Sequence, residues 1–364
     1  MTENLKIAVV GAGIVGATTA YYLKKHLHAD VVVFDEATGQ ATKASAGIIS
    51  PWLSKRRNKR WYELAKDGAA LYPELVTDAG LTTAAYRQNG TIITRSTKED
   101  LTELLTLALT RSMAAPTMGQ IRTLLPAEIT ELVPGATNVK PGVFISGGAE
   151  IDGAEFVREL LAATDIDVQE QAVTLTATGQ IDGAEHFDKV ILAVGAWLPA
   201  VLAPLNLDVK VRPQKGQLLE LKVPAFSADM QQPVLMPEGE RDYIPAGHGK
   251  LIMGATHEND MGYDLTVTDE VKKDLFASSV RINPTLRESD ITGVRVGTRA
   301  YTEDFAPFFG PLPTNTDVLV ASGLGSSGLT TGPLIGKLLA EMATGTTIDV
   351  AKYTKPIENY IQPE

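Results

Sequence analysis

Two clusters of glycine residues, one near each end of the chain, have a spacing typical of turns that bind cofactors. The first is Gly11-Ala12-Gly13-Ile14-Val15-Gly16. In such a motif the first glycine permits a tight turn, the second lets a pyrophosphate approach the backbone, and the third allows a helix to pack closely on a strand. Asp35 follows Gly13 by 22 positions, near the offset expected for a carboxylate that binds a ribose hydroxyl. The cluster predicts a dinucleotide site without a 2′-phosphate, which Asp35 would repel.

The second cluster, Gly323, Gly325 and Gly328, lies between an apolar run and a helix-like pattern. We expect it to direct backbone N–H groups and the positive end of a helix into the same cleft as the first motif. A flavin uses such an end, because its reduction places negative charge on N1 and the C2 carbonyl. A simple NAD-dependent dehydrogenase has no need of it. A glycine-rich turn that only packs, without a ligand, is the alternative.

Strand–turn–helix units must position both clusters. Lys6 to Val10 is a short apolar run, Ile14 to Leu27 has apolar residues at helical spacing, and Asp30 to Phe34 is β-branched. These patterns predict a strand, a helix and a second strand. The segment from Thr316 to Gly345 repeats the strand, glycine turn and helix. The chain therefore returns at its end to the architecture of its beginning, which predicts a discontinuous nucleotide domain.

The segment from about Pro213 to Val294 has a different character. It contains strand-like runs at Gln217 to Leu221 and Leu251 to Gly254, and an amphipathic helical pattern at Asp269 to Val280. This combination predicts a separate antiparallel layer with a helix, inserted into the nucleotide domain.

Composition limits the possible partners. The 364 residues carry a formal net charge of -11, whereas a nucleic acid or an anionic membrane calls for a basic face. The absence of cysteine excludes disulfides, thiolate metal sites, iron–sulfur clusters and a thioether-linked cofactor. The five histidines show no metal-ligand spacing, so no metal site is expected. A small-molecule partner and a non-covalent cofactor are expected.

Neither a leader peptide nor a membrane span is expected. The residues before the first strand lack a charged region followed by an apolar one, which favours a cytoplasmic enzyme. The uncharged run Val318 to Gly336 approaches the length of a spanning helix. Its five glycines and Pro333 would weaken a continuous helix there.

Six segments carry a specific resemblance. In chain order they are GAGIVGATTAYYL, VVVFDE, ASAGIIS, VRPQKGQLLEL, GVRVGTRAYTEDFAPFFGP and VASGLGSSGLTTGPLIGKLLAEM. Their order and spacing resemble the FAD-dependent D-amino-acid oxidase family, and among its members the chain is most similar to glycine oxidase and sarcosine oxidase-like proteins. The resemblance spans nearly the whole chain.

The resemblance implies an α/β fold. A Rossmann-like, discontinuous FAD-binding domain would be interleaved with a substrate domain built on a mixed, mostly antiparallel sheet. The division we expect assigns residues 1–85, 140–210 and 296–364 to the FAD-binding domain, and 86–139 and 211–295 to the substrate domain.

The resemblance also implies which residues contact a non-covalently bound FAD. They belong to the first glycine turn, the two strand ends beside the adenosine, the loop along the pyrophosphate, and the second glycine turn at the flavin ring. These residues are Gly11, Gly13, Ile14, Val15, Gly16, Asp35, Glu36, Thr42, Ser45, Ala46, Gly47, Val173, Ala193, Gly195, Gly323, Leu324, Gly325, Ser326, Ser327, Gly328 and Leu329.

For the substrate, the resemblance implies an arginine that clamps a carboxylate, and a guanidinium fork suits that geometry. Arg295 matches this position and Arg299 competes for it. Tyr243 matches a tyrosine whose hydroxyl would add a second bond to the carboxylate. The sequence departs from relatives at Leu324, Val296 and Ala246, which leaves the preferred amino acid open.

The implied activity is oxidation of an amino acid of the glycine, sarcosine or D-amino-acid type. A hydride would pass from Cα to flavin N5, and the resulting imino acid would hydrolyse. A flavin-dependent 2-hydroxy acid dehydrogenase and a non-catalytic FAD-binding protein are the alternatives. The basic run Lys55 to Arg60 is expected to be a solvated face, the alternative being an entrance loop that attracts anions. The sequence leaves the oligomeric state open, a homo-oligomer included.

Overall fold

A computed structural model of the chain describes residues 5–226, 231–239 and 241–363. The α-helices of these residues are α1 (Ile14–Lys25), α2 (Lys59–Ala79), α3 (Lys98–Ser112), α4 (Pro126–Leu132), α5 (Gly153–Ala162), α6 (Leu198–Leu202), α7 (Asp269–Ile282) and α8 (Gly328–Ala343). The strands are β1 (Lys6–Val10), β2 (Asp30–Phe34), β3 (Ile48–Ile49), β4 (Tyr86–Arg87), β5 (Thr91–Thr94), β6 (Ile121–Leu124), β7 (Gly142–Ile145), β8 (Ala149–Ile151), β9 (Val168–Gln169), β10 (Lys189–Leu192), β11 (Leu207–Val209), β12 (Arg212–Lys222), β13 (Val234–Met236), β14 (Asp242–Pro245), β15 (Lys250–Gly254), β16 (Ile291–Tyr301), β17 (Phe308–Leu312), β18 (Asn315–Ser322) and β19 (Ile361–Pro363).

A six-stranded sheet has the strand order β17-β18-β10-β1-β2-β9. Five of its strands are parallel, and β17 is antiparallel to β18. Residues 7–10 of β1 are buried, as expected for a parallel strand covered by helices on both faces. The strand near the chain's beginning and the strand near its end are therefore separated only by β10. This arrangement confirms the predicted Rossmann-like, discontinuous architecture.

Helices α1 and α8 pack tightly at their N-terminal ends. A Cβ atom at Gly332 would lie 2.6 Å from the Ile14 side chain, and one at Gly336 would lie 2.7 Å from the Val15 carbonyl oxygen. Ile14 is the first residue of α1, and Gly332 is in the second turn of α8. The positive ends of both helices therefore open toward the same edge of the sheet.

An eight-stranded sheet has the order β16-β12-β15-β14-β13-β5-β7-β6. Its neighbours are antiparallel except β13 and β5, which are parallel. Helix α7 covers one face and buries Leu275 in an apolar cluster with Leu219, Tyr243 and Met253. This sheet confirms the predicted mixed, mostly antiparallel layer.

The expected division into domains stays a prediction, and two of its boundaries can be compared with the strands. Strand β7, placed by sequence in the FAD-binding domain, belongs to the eight-stranded sheet. The expected boundary between residues 295 and 296 falls inside β16, which continues in that sheet to Tyr301. The uncharged run 318–336 forms most of β18, a glycine turn and the first half of α8. Within the described part of the chain, no helix has the length and apolar character needed to cross a membrane.

Candidate active site

The first glycine turn is built by close backbone contacts. Gly11 has φ +98°, a value that L side chains rarely adopt, and its N–H donates to the Phe34 carbonyl at 2.7 Å. A Cβ atom at Gly11 would lie 2.5 Å from the Ala193 carbonyl oxygen. One at Gly16 would lie 1.7 Å from the Gly11 carbonyl oxygen. The turn therefore holds β1, β2, β10 and α1 together only with glycine at these positions.

A cavity of about 300 Å³ opens beside this turn, and we call it the nucleotide cavity. The buried Gln40 Oε1 and Thr298 Oγ1 face no hydrogen-bond partner among the described residues, and both residues line the cavity. Such atoms suit the polar groups of a nucleotide. The predicted cofactor residues that line it are Gly11, Gly13, Asp35, Glu36, Thr42, Val173, Ala193 and Gly195.

A second cavity of about 440 Å³ adjoins the first, and we call it the flavin cleft. Ala41 and Thr42 line both cavities, and the Thr42 hydroxyl accepts a hydrogen bond from the Ile14 amide at 3.0 Å. A dinucleotide that passes Thr42 would thus have its pyrophosphate beside the start of α1. The predicted cofactor residues lining the flavin cleft are Thr42, Ser45, Ala46, Gly47, Gly325, Ser326, Ser327, Gly328 and Leu329.

The start of α8 gives the flavin cleft a positive end. Gly328, Leu329 and Thr330 form the first turn and line the cleft, and this turn contains no acidic residue. Gly325 has φ +56°, and a Cβ atom there would lie 2.3 Å from the Tyr301 ring. The glycine turn and the start of α8 therefore face the cleft, where backbone N–H groups would stabilise negative charge on a bound flavin.

Five predicted cofactor residues support the site from outside both cavities. Ile14, Val15 and Leu324 pack into the apolar core, and Gly16 makes the close contact with Gly11. Gly323 has φ +77°, and a Cβ atom there would lie 2.8 Å from the Thr302 side chain. These residues shape the two glycine turns without lining the cavities.

Arg295 lies outside the flavin cleft. Its Nε donates to Glu220 Oε1 at 2.7 Å, and its Nη2 is 3.5 Å from Asp152 Oδ2. It lines a different cavity. Gly297, two residues further along β16, packs against the loop at Ala44, so that a Cβ atom there would lie 2.8 Å from the Ala44 Cβ. In this structure Arg295 therefore lines the cavity on one side of this loop and not the flavin cleft, and its expected role as a carboxylate clamp stays a prediction.

Tyr243 is also outside the cleft. It is fully buried in the apolar cluster under α7, and its hydroxyl accepts a hydrogen bond from Asn283 Nδ2 at 3.2 Å. The preceding residue of β14, Asp242, lines the flavin cleft instead. The two residues differ in this way because successive side chains of a strand point to opposite faces; the expected bond from Tyr243 to a substrate carboxylate stays a prediction.

Arg299, the competing arginine, does line the flavin cleft. Its Nη1 donates to Gln214 Oε1 at 3.1 Å and to the Thr256 carbonyl at 2.9 Å. The guanidinium lies on the backbone of Gly216, where a Cβ atom would fall 2.6 Å from Cζ. Burial lowers the pKa of Arg299, yet an arginine stays charged at neutral pH. The site therefore contains a fixed cation.

Asp242 is the one carboxyl group among the described residues that line the flavin cleft. Burial raises its pKa to about 7. A group with such a pKa is present in both protonation states near neutral pH, which suits proton transfer. His257 lines the same cleft.

Sequence reasoning missed two charged residues of the cleft. The sequence pattern did not indicate that Asp242 lines the cleft, because β14 is covered on both faces and lacks a polar–apolar alternation. The sequence did not distinguish Arg56 from the other residues of the basic run Lys55 to Arg60, which was expected to be solvated. Arg56 is partly buried and lines the cleft, whereas the other basic residues of the run are exposed.

Comparison with known proteins gives consistent matches. The sequence model of the family described as DAO, FAD dependent oxidoreductase, matches residues 6–342. A protein of Bacillus subtilis (strain 168) named "Uncharacterized oxidoreductase YurR" is 35% identical over 362 residues, which cover 95% of this chain and 97% of that protein. The glycine oxidase of Pseudomonas aeruginosa is 29% identical, with coverage of 96% of this chain and 98% of the relative.

Among solved structures, iminodiacetate oxidase (IdaA) from Chelativorans sp. BNC1 has a TM-score of 0.88 at 28% identity. The match covers 98% of each chain, so that both sheets and the segments between them correspond. The glycine turns, the nucleotide cavity and the adjoining cleft described above fit the cofactor that the family binds. The chain therefore belongs to the DAO family of FAD-dependent oxidoreductases, and its cofactor is FAD.

Proposed function

We propose that the protein oxidises a small amino acid, primary or N-substituted, at its Cα–N bond. The observation that carries this proposal is the position of Arg299 in the flavin cleft, where hydrogen bonds to Gln214 and Thr256 fix a cation. A guanidinium held in this way can bind a carboxylate through two parallel hydrogen bonds. This assigns to Arg299 the role expected of Arg295. The printed names of two relatives, glycine oxidase and iminodiacetate oxidase, support a small amine that bears a carboxylate.

Asp242 is the proposed partner of the substrate's amino group. Its carboxyl lines the same cleft as Arg299, and its pKa of about 7 lets the ionised form accept a proton from nitrogen near neutral pH. A deprotonated nitrogen has the lone pair that a C=N bond requires. Arg299 would thus orient the substrate, and Asp242 would hold the proton.

FAD, when bound, supplies the acceptor for the hydrogen and electron pair of the Cα–H bond. The N-terminal turn of α8 lines the cleft without an acidic residue, and would stabilise the negative charge that accumulates there. The imino acid product then reacts with water to give a 2-oxo acid and an amine or ammonia. The residues of this chain contribute mainly orientation and electrostatics.

An anaerobic substrate panel tests the proposal. Purified holoenzyme is mixed with glycine, sarcosine, iminodiacetate, D- and L-amino acids, and 2-hydroxy acids, and the visible absorbance of the flavin is followed. We expect at least one amine to bleach the flavin and to yield a 2-oxo acid. Bleaching by 2-hydroxy acids alone would replace the proposed activity with the alternative one. Failure of the whole panel would leave a non-catalytic FAD-binding protein.

A further inference from the structure

Arg56 is a second cation fixed in the flavin cleft. Its guanidinium carbon lies 4.5 Å from the centre of the Trp61 ring, and Nη2 donates to Ser326 Oγ at 3.0 Å. Trp61 is itself held by a hydrogen bond from Nε1 to Ser327 Oγ at 2.9 Å. The side chain is thus anchored to the second glycine turn rather than extended into solvent.

Among the residues that the structure describes, Arg56 forms no ion pair with a carboxylate, and the titratable group that interacts with it is the Tyr301 hydroxyl. Arg87 and Arg295, by contrast, are paired with Glu150 and Glu220. Burial lowers the pKa of Arg56, since its charge has lost part of its hydration without a compensating anion. A desolvated, unpaired guanidinium favours binding of an anion from outside the chain.

Arg56 and Arg299 lie near the same side chain. Both interact with Tyr301, whose hydroxyl also accepts a hydrogen bond from the Ser326 amide at 3.1 Å. Both arginines line the one cavity of about 440 Å³. The two cations therefore lie close to one side chain, Tyr301, in one cavity.

We infer that Arg56 forms a second anion position, which selects amino acids that carry a second carboxylate. The inference rests on the proposed function, in which Arg299 binds the carboxylate next to the oxidised carbon. Arg56 then binds the distal carboxylate, either on the side chain or on the substituent at nitrogen. Among the described residues that line the cleft, Arg56 and Arg299 outnumber the one carboxyl group, Asp242, which agrees with a dianionic substrate.

A matched pair of substrates tests this selectivity. Iminodiacetate and sarcosine are both N-substituted glycines and differ in the second carboxylate. In FAD-loaded enzyme, we expect Arg56→Ala to lower kcat/KM for iminodiacetate roughly ten- to a hundredfold, and for sarcosine less than about threefold. Arg57→Ala removes the same charge from an exposed neighbour, and should change neither. An equal loss for both substrates, or no loss for iminodiacetate, would overturn the inference.

Conservative variants distinguish loss of the charge at Arg56 from a disturbance of the structure. Arg56→Gln removes the charge but keeps a donor for Ser326, so flavin content and Tm should stay near the wild-type values. It should show the same selective loss, and Arg56→Lys should restore part of the activity with iminodiacetate. If Arg56→Gln retained as much activity with iminodiacetate as Arg56→Lys, the positive charge would not be required. That result would count against the second anion position.

Binding without turnover separates this inference from the proposed function. Glutarate and butyrate, which are not amines, are titrated into the holoenzyme, and the shift of the flavin absorbance gives each Kd. We expect glutarate to bind at least tenfold more tightly than butyrate, and Arg56→Ala to abolish the difference. If no amine reduces the flavin, the proposed function fails, but this preference would still support the second position. Equal Kd values in the wild-type protein would overturn it.

Discussion

The nucleotide cavity is shaped largely by backbone, through glycine turns that bring β1, β2 and β10 together. The flavin cleft is lined in addition by charged side chains, which come from the large sheet and from the segment before α2. Backbone turns are specified by residues a few positions apart. Charged side chains converge only through the register of strands distant in sequence. The two regions should therefore respond differently to substitution.

The largest effect is expected at the backbone-built region. In Gly16→Ala, the new Cβ would lie 1.7 Å from the Gly11 carbonyl oxygen, so the turn must shift. Overpacking against backbone should lower the free energy of unfolding by about 3 kcal/mol or more, and bound FAD should be lost. Chemical denaturation and the ratio of flavin to protein absorbance measure both.

Gly80→Ala is the matched control for this change. Gly80 ends α2 with φ +64°, but a Cβ atom there would meet nothing within 4 Å. Backbone strain alone should cost about 1 kcal/mol, with full retention of FAD. If Gly16→Ala behaved like Gly80→Ala, the contrast between the two regions would lose its main support.

The next effect distinguishes two arginines on one strand. Arg299→Ala should lower kcat/KM for every carboxylate substrate roughly ten- to a hundredfold, since a charge-assisted hydrogen bond contributes about 1.5–3 kcal/mol. Arg295→Ala should leave kcat/KM within a few-fold, because Arg295 is paired with Glu220 in another cavity. Steady-state kinetics on both variants decides the assignment. A large loss in Arg295→Ala and a small one in Arg299→Ala would mean that Arg295 binds the carboxylate.

These two regions also show which parts of the site could be predicted from the sequence. The βαβ unit and the second glycine turn lie where the motifs placed them, because each depends on local spacing. Most of the residues predicted to contact FAD line one of the two cavities. The choice between Arg295 and Arg299 depends on where the loop at Ala44 crosses β16, which is a long-range contact. The position of Arg56 could not be predicted either. In the sequence it resembles its exposed neighbours, and only the folded chain shows its contacts with Trp61 and Ser326.

The smallest expected effect concerns Asp242 in the flavin cleft. With a pKa of about 7, Asp242 is mostly ionised at pH 8 and mostly protonated at pH 6. If the ionised form accepts the substrate's proton, kcat/KM should fall up to about tenfold between those values. Asp242→Asn should remove this inflection, which a pH profile of kcat/KM would detect. An unchanged inflection in the variant would assign it to another group.

Stability provides an independent measure of the same group. Because burial raises the pKa of Asp242 in the folded state above the value near 4 of an unfolded chain, the folded protein binds the proton more tightly. Its contribution to stability is therefore greatest below pH 4 and is lost as pH rises through 7. Asp242→Asn should raise Tm relative to wild type more at pH 8 than at pH 5. A Tm difference independent of pH would mean that the carboxyl group is already solvated in the folded protein.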